Sequence, residues 1–207
     1  MSPLEQNRGH GSDDGERLDL ATVIKVSQAV SGEIVLERLI GALIRTAVEQ
    51  AGAERGLLIL AHGPELRIAA EAVTGDAVIV RLHDVPVTAA AMPETVLHTV
   101  LRAKESVILD DAAAALPFAD DPYIREHRAR SILCLPLVNQ GKLIGVLYLE
   151  NNLAPRAFTP ARIAVLKLIA SQAATSLENT RLYHDLAERE AKIEEITKRL
   201  LAVPAKS

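Results

Sequence analysis

The sequence has few of the residues that build covalent or aromatic sites. Of its 207 residues one is cysteine, Cys134, none is tryptophan, and aromatic residues make up 2%. A single cysteine excludes a disulfide within the chain and is typical of a reducing compartment. The shortage of aromatic side chains makes an aromatic cage, or a platform on which nucleic-acid bases stack, hard to build.

Long apolar runs and an excess of one charge are also lacking. No apolar run approaches the roughly 18 residues that a bilayer-spanning helix needs, and the N-terminus lacks the apolar segment of a signal peptide. The net charge is −4 and the pI about 5.9, with no block of like charges that would attract nucleic acid. The apolar share, 49%, is ample for a core. We therefore expect a soluble, cytoplasmic protein without nucleic-acid or membrane partners.

Motifs of catalysis and metal binding are missing as well. The sequence contains no phosphate-binding or dinucleotide glycine loop, no nucleophile elbow and no His-Glu-x-x-His zinc motif. Its six histidines are not paired at the one-turn spacing of a metal site. Cys134 lies between Leu133 and Leu135, which favours an inert core thiol over a chromophore attachment point. We expect a non-catalytic protein that needs no metal or cofactor.

The apolar pattern changes period several times along the chain. Spacings of three and four before Gly52 predict a helix, and the following segments alternate as strands do, with Gly63 and Gly141 in turns between them. Short turns between strands indicate a mostly antiparallel sheet with helices packed on it, an α+β fold. Predicted strands cover 55–61, 66–73, 78–82, 106–109, 131–138 and 143–149, and predicted helices cover 18–30, 33–51, 93–103, 122–127 and 160–200.

The last helix is predicted to be unusually long. Thr159-Pro160 is a helix start, and no glycine or proline follows until Pro204, so the helix would extend roughly 60 Å. The step from Leu177 to Leu182 is five residues, which predicts that the helix leaves its own sheet there. Beyond this step Arg189 interrupts a narrow apolar seam that predicts a homodimeric coiled coil, the alternative being a solvated helix end. The seam residues are Leu182, Leu186, Ile193, Ile196 and Leu200.

Several stretches of the sequence resemble a GAF domain. They are "AVEQAGAERGLLIL", "RARSILCLPLVNQGKLIGVLYLENN" and "FTPARIAVLKLIASQAATSLENTRLY", and the resemblance covers about residues 18–185. It is strongest to the GAF segment of bacterial multi-sensor histidine kinases. The resemblance implies a six-stranded antiparallel sheet flanked by helices, a small-molecule pocket on one sheet face, dimerisation through terminal helices, and sensing without catalysis.

The resemblance also implies a division of the chain and a role for it. We expect a disordered tail over 1–17, the GAF domain over 18–180, a signalling helix over 181–203 and a tail over 204–207. The expected function is to bind an unidentified small molecule in bacterial two-component signal transduction. A dimeric exit helix would relay the signal to downstream kinase or sensor modules. The alternative is a dimerisation or scaffold module with a vestigial pocket.

The segment 118–130 holds the best candidates for ligand contact. By the resemblance it belongs to the loop and helix over the pocket, and its guanidinium groups suit an anion. The alternative is that these arginines face water and balance nearby acids. The candidate ligand-binding residues are Phe118, Tyr123, Arg125, Arg128 and Arg130.

A cyclic-nucleotide signature is incomplete at the end of the last strand. Asn151 and Phe158 match the pattern of GAF members that bind cyclic nucleotides. Asn152 stands where those members have lysine, and Ala161-Arg162 stands where they have an acidic pair. The sequence therefore favours asparagines that end the strand and a phenylalanine that anchors the turn to the core.

Overall fold

The computed structural model describes residues 35–201, except for the side chains of residues 184 and 199–201. The predicted tail, the predicted helix over 18–30, the Leu200 side chain and residues 202–207 lie outside the described part. Contacts divide the chain into two units. One is Leu36–Arg181, which holds the sheet, and the other contains Val35 and the described part of the segment from Leu182.

Strands and helices follow one another as the sequence predicts. A helix over residues 35–51, α1, is followed by a hairpin. One shorter helix lies between the third and fourth strands, and another lies between the fourth and fifth. The other elements are β1 (Arg55–His62), β2 (Glu65–Thr74), β3 (Val78–Pro86), α2 (Glu94–Ala103), β4 (Val107–Leu109), α3 (Pro122–His127), β5 (Ser131–Asn139), β6 (Lys142–Asn151) and α4 (Pro160–Leu201).

The six strands form one antiparallel sheet in the order β3-β2-β1-β6-β5-β4. Its central pair joins strands far apart in sequence, because β1 lies beside β6 with Arg55 opposite Glu150. This arrangement confirms the predicted α+β fold, with a six-stranded antiparallel sheet, flanking helices and a long C-terminal helix.

The first face of the sheet is covered by α1 and by the part of α4 that lies within Leu36–Arg181. Leu58 and Leu147 point to this face and pack with Ile44 and Val48 of α1. The inner stripe of α4 consists of apolar residues that are buried in the same cluster. These residues are Leu166, Ala170, Ala173 and Leu177.

The second face is covered by α2 and α3. Leu57 and Ile59, which flank Leu58 in β1, belong to a separate cluster with Val96 of α2 and Ile124 of α3. Adjacent residues of a strand point to opposite faces, so central strands buried on both faces are apolar at every position.

The end of β3 and the start of α2 differ from the sequence prediction for identifiable structural reasons. β3 continues to Pro86 instead of ending at residue 82, because it follows β2 past a bulge between Ile68 and Ala70. Pro93 is the residue before α2 and has extended backbone, whereas it was expected as the first helical residue. A register shift between Leu137 and Val138 follows directly after Pro136, which cannot donate to the ladder.

Gly145 lies where β6 passes close to β1. A Cβ on this residue would overlap the carbonyl oxygen of Ile59, which belongs to the backbone and has no flexible side chain to move aside. Gly41 of α1 has nothing within 4 Å of the corresponding position. The two glycines therefore form a matched pair for the same substitution.

We predict opposite effects of alanine at the two sites. Gly145→Ala should lower the free energy of unfolding by about 1–3 kcal/mol, because the strands must separate to admit a methyl group. Gly41→Ala should raise it by about 0.5–1 kcal/mol, because alanine favours the helix. Urea unfolding measures both. An unchanged midpoint for Gly145→Ala would contradict the close packing of β1 and β6.

Candidate functional site

A buried carboxylate, that of Glu150, is the centre of a polar cluster on the second face. Glu150 is 4% exposed, and its two oxygens accept hydrogen bonds from three side chains. Tyr148 donates at 2.7 Å, Tyr123 at 3.0 Å and the Arg55 guanidinium at 3.4 Å. Tyr148 comes from the same strand, Arg55 from the neighbouring strand and Tyr123 from α3. We call these residues, with Glu71, the Glu150 cluster.

Arg55 joins this carboxylate to the rest of the face. Its Nε donates to Glu71 of β2 at 2.6 Å, and its Nη1 donates to the carbonyl of Ala91, before α2, at 2.9 Å. Burial acts to lower the pKa of Arg55. The hydrogen bond to Glu71 and the negative charge of Glu150 outweigh that effect and raise it. Arg55 therefore stays charged and bridges the carboxylates of Glu71 and Glu150, of which Glu71 is the more exposed.

The two tyrosines are held in their protonated form. Burial, followed by the nearby charge of Glu150, raises the pKa of Tyr123 above its ordinary value and raises that of Tyr148 well above it. A carboxylate that accepts from two hydroxyls and a guanidinium has little capacity left to act as a base. The chemistry of the Glu150 cluster is that of a closed hydrogen-bond network between α3 and the sheet.

A second acid, Asp121, caps two helices at once. It is 4% exposed, and its side chain accepts from the backbone N–H of Tyr123 at 2.9 Å as the N-cap of α3. Its other oxygen accepts from the N–H and the hydroxyl of Thr95, at 3.0 and 2.8 Å, in the first turn of α2. Because Pro93 offers α2 no side-chain cap, Asp121 supplies it from elsewhere in the chain.

The predicted ligand-binding residues separate into two groups. Tyr123 is 4% exposed and its ring stacks on His127 at 4.1 Å between centroids, while Phe118 is half-buried against the second-face cluster. The three arginines are exposed, and within residues 35–201 their guanidinium groups have no hydrogen bond or ion pair. The structure therefore joins the aromatics to the core and leaves Arg125, Arg128 and Arg130 at the surface. Ligand contact by any of the five stays a prediction.

The junction after β6 is held by side chains that bind backbone. The Asn151 amide donates to the Gly52 carbonyl at 2.9 Å, and its oxygen accepts from Leu153 N–H at 3.1 Å. Asn152 accepts from Arg130 N–H at 3.2 Å. Phe158 is buried in the first-face cluster, as predicted. Both asparagines therefore end the strand and fix the turn, which agrees with the preferred interpretation of the sequence.

Cysteine and histidine chemistry is restrained by burial and spacing. Cys134 is fully buried opposite Tyr148 in the sheet, and burial raises the pKa of its thiol, as the prediction of an inert core thiol requires. Within residues 35–201 no three His, Cys, Asp or Glu side chains lie close enough together to hold a metal ion. None of the helices there combines the length and hydrophobicity needed to cross a membrane.

The fold and its sequence match a known family. The family model of the GAF domain matches residues 35–177, more than half of the chain. The chain belongs to the GAF domain family. Two solved structures share the fold. The blue-light absorbing form of the PixJ GAF domain from Thermosynechococcus elongatus has a TM-score of 0.57 at 18% identity and covers 80% of this chain and 96% of its own. The GAF domain/HD domain protein from Geobacter sulfurreducens has a TM-score of 0.52 at 17% identity and covers 71% and 94%.

Curated relatives of this GAF domain are histidine kinases. Hybrid signal transduction histidine kinase G of Dictyostelium discoideum is 37% identical over 89 residues, which are 43% of this chain and 3% of that protein. Peroxide stress-activated histidine kinase mak3 of Schizosaccharomyces pombe is 24% identical over 174 residues, which are 83% of this chain and 7% of that protein. The chain thus spans less than a tenth of the length of the curated relatives described.

Sequence reasoning missed most of the Glu150 cluster of this GAF domain. Arg55 and Glu150 are 95 residues apart, and only the pairing of β1 with β6 makes them neighbours. One signal was available, because Arg55 and Glu150 each lie at the end of an otherwise apolar strand. A charge that flanks a strand buried on both faces has to find a partner within the fold.

We predict that the two buried tyrosines resist ionisation. The Tyr183→Phe variant removes the only other tyrosine of the sequence, which is exposed. In that variant the ultraviolet signal of tyrosinate should stay absent above about pH 10, the ordinary pKa of tyrosine, until the chain unfolds.

The same pKa shifts predict the pH dependence of stability. Above about pH 10 the unfolded chain loses tyrosine protons that the folded chain retains, so the free energy of unfolding falls as pH rises, by up to about 1.4 kcal/mol per pH unit for each tyrosine. Tyr123→Phe should make the fall shallower in urea unfolding. Ordinary titration of both tyrosines with the fold intact would contradict the closed network.

Proposed function

We propose that this GAF domain is a non-catalytic sensory module of a bacterial signalling protein, and that α4 relays its state within a homodimer. The observation that carries the proposal is a row of exposed apolar side chains on α4. Leu182, Leu186, Ile193 and Ile196 are 50–64% exposed, at spacings that a coiled-coil seam uses. Exposed apolar rows of this kind are stabilised by pairing with another helix.

The register of this seam extends further back than the sequence analysis supposed. Counting back from Leu182 in alternating steps of three and four gives Asn179, Thr175 and Gln172, then Leu168 and Val165. Leu168 and Val165 are 69% and 43% exposed. The outer stripe of α4 therefore does not begin at the five-residue step after Leu177. It runs beside the buried stripe from the start of the helix.

A second copy in parallel orientation is the partner that this register favours. Asn179 falls on the position of the heptad where a single asparagine is used to fix the register of parallel two-stranded coiled coils. Apolar positions follow it at Leu182 and Leu186. Only Arg189 interrupts the apolar series before Ile193, so the interface would be strongest on both sides of that residue.

The signal would enter this module at α3. The exposed Arg125, Arg128 and Arg130 offer guanidinium groups to a small anion or an acidic partner. The other side of α3 is bound to the sheet through Tyr123 and the Glu150 cluster. If α3 can adopt two placements on the sheet, a ligand that binds one of them more tightly would increase its population. The change would then be transmitted through α4.

A scaffold role without a ligand is the second candidate. It is favoured by the saturation of the Glu150 carboxylate and by the apolar packing of α2 and α3 directly on the second face. A module of this kind would contribute dimerisation alone. In either role the relatives' length agrees with a segment of a larger protein, and kinase or further sensor modules are the partners we propose for α4.

We predict that charges on the seam abolish the homodimer. Ile193→Glu combined with Ile196→Glu should weaken self-association about a thousandfold or more, because four apolar side chains per dimer would be replaced by carboxylates. Sedimentation equilibrium of the full chain measures the mass. Ala187→Glu is the control, since Ala187 is exposed on the same helix but falls at a heptad position that faces away from the seam. A monomeric parent chain, or a double variant that stays dimeric, would contradict the proposed relay.

A further inference from the structure

A cleft remote from α3 is lined by groups that suit an anion. It has a volume of about 210 Å³ and lies between β5, α4 and the loop that joins α2 to β4. All of its lining residues belong to the unit Leu36–Arg181. From its composition and position we propose that this cleft binds a small organic anion, with a carboxylate or phosphate group at its rim and an apolar portion inside.

The sheet itself creates the opening. β4 pairs only with Ile132–Cys134, so the rest of β5 has no strand beside it on that edge. Leu135, Pro136 and Val138 line the gap as its apolar floor, and Leu135 is itself buried. A longer β4 would fill this space, and Pro136, which cannot donate to a strand ladder, lies on the part of β5 that β4 leaves open.

The rim carries two ammonium groups and two hydroxyls. Lys104 and Ser106 come from the loop after α2, and Lys167 and Ser171 from α4. Lys104 donates to the Gly141 carbonyl at 2.7 Å, whereas the Lys167 side chain has no hydrogen bond or ion pair within residues 35–201. No acidic residue lines the cleft. Two cations without a lining acid favour a negative ligand and disfavour a positive one.

The volume limits the size of the ligand. Pockets for drug-sized molecules are about 300–1,000 Å³, and this cleft is smaller. It therefore accommodates a short chain with one anionic group. A nucleotide would exceed it.

The cleft is connected to α4 by a short series of contacts. Lys104 binds the carbonyl of Gly141 at the tip of the β5–β6 hairpin, and the next residue, Lys142, donates to Glu178 of α4 at 2.7 Å. Glu178 is 9% exposed, and its other carboxylate oxygen is buried without a hydrogen-bond partner among residues 35–201. An anion that draws Lys104 away from Gly141 would alter this hairpin contact. That consequence rests on the proposed relay through α4, whereas binding itself does not.

Nuclear magnetic resonance of the full chain tests the site with simple probes. Butyl phosphate and butyrate present the two anionic groups on the same alkyl chain, and butylamine presents the opposite charge. We expect saturable amide shifts at Ser106, Val138 and Ser171 with one or both anions, and none with butylamine. The anion that binds more tightly identifies the group. The absence of saturable shifts with either anion, or equal binding of butylamine, would overturn the proposal.

Two matched lysine variants distinguish binding in this cleft from non-specific attraction of anions to the protein surface. Lys167→Gln should weaken binding of the preferred anion about tenfold, because it removes one charge-assisted hydrogen bond. Lys192→Gln makes the same change at an exposed residue of α4 that does not line the cleft, and it should leave binding unchanged. Equal weakening by both variants would overturn the site. The seam variant Ile193→Glu/Ile196→Glu should bind the anion as the parent does, so failure of the dimer and failure of the cleft are distinguishable.

Discussion

The carboxylate of Glu150 is buried on the second face of the sheet, and its need for hydrogen-bond partners constrains the elements around it. A buried ion left without partners costs about 3–5 kcal/mol, a large part of the stability of a domain. Arg55, Tyr148 and Tyr123 supply those partners from β1, β6 and α3. Of these three, Tyr123 is contributed from outside the sheet, so the position of α3 depends on this acid.

This constraint gives the two faces of the GAF domain different roles. On the first face, α1 and α4 pack through apolar side chains, and Asn151 fixes the turn between β6 and α4 by binding the end of α1. On the second face, a polar network holds a six-residue helix whose outer arginines are unpaired within the described residues. Close apolar packing allows only small displacements of α1 and α4. A short helix held by a few hydrogen bonds can move by breaking fewer contacts. The second face is therefore the more adaptable of the two.

The fold could be predicted from the sequence because its signals are local. Gly141 in a two-residue turn, Asp121-Pro122 before a helix and the inner stripe from Leu166 to Leu177 each specify their element within a few residues. The Glu150 cluster could not be predicted, because its members meet only after β1 has paired with β6. The cleft was missed for a similar reason, since it arises where β4 ends beside β5, a property of the sheet edge that no single segment carries. The outer stripe of α4 could have been found from its heptad spacing, but three of its positions are polar and interrupt the apolar pattern. These positions are Gln172, Thr175 and Asn179.

We assign α3 to a position that the Glu150 carboxylate holds through Tyr123. A double-mutant cycle of Tyr123→Phe and Glu150→Gln, with the free energy of unfolding measured in urea at neutral pH, tests this assignment most directly. If the hydroxyl and the carboxylate depend on each other, the two substitutions together should cost less than the sum of their separate costs, by about 1–3 kcal/mol. Costs that add to within about 0.5 kcal/mol would show that the two groups act independently, and would contradict the central role of the Glu150 cluster.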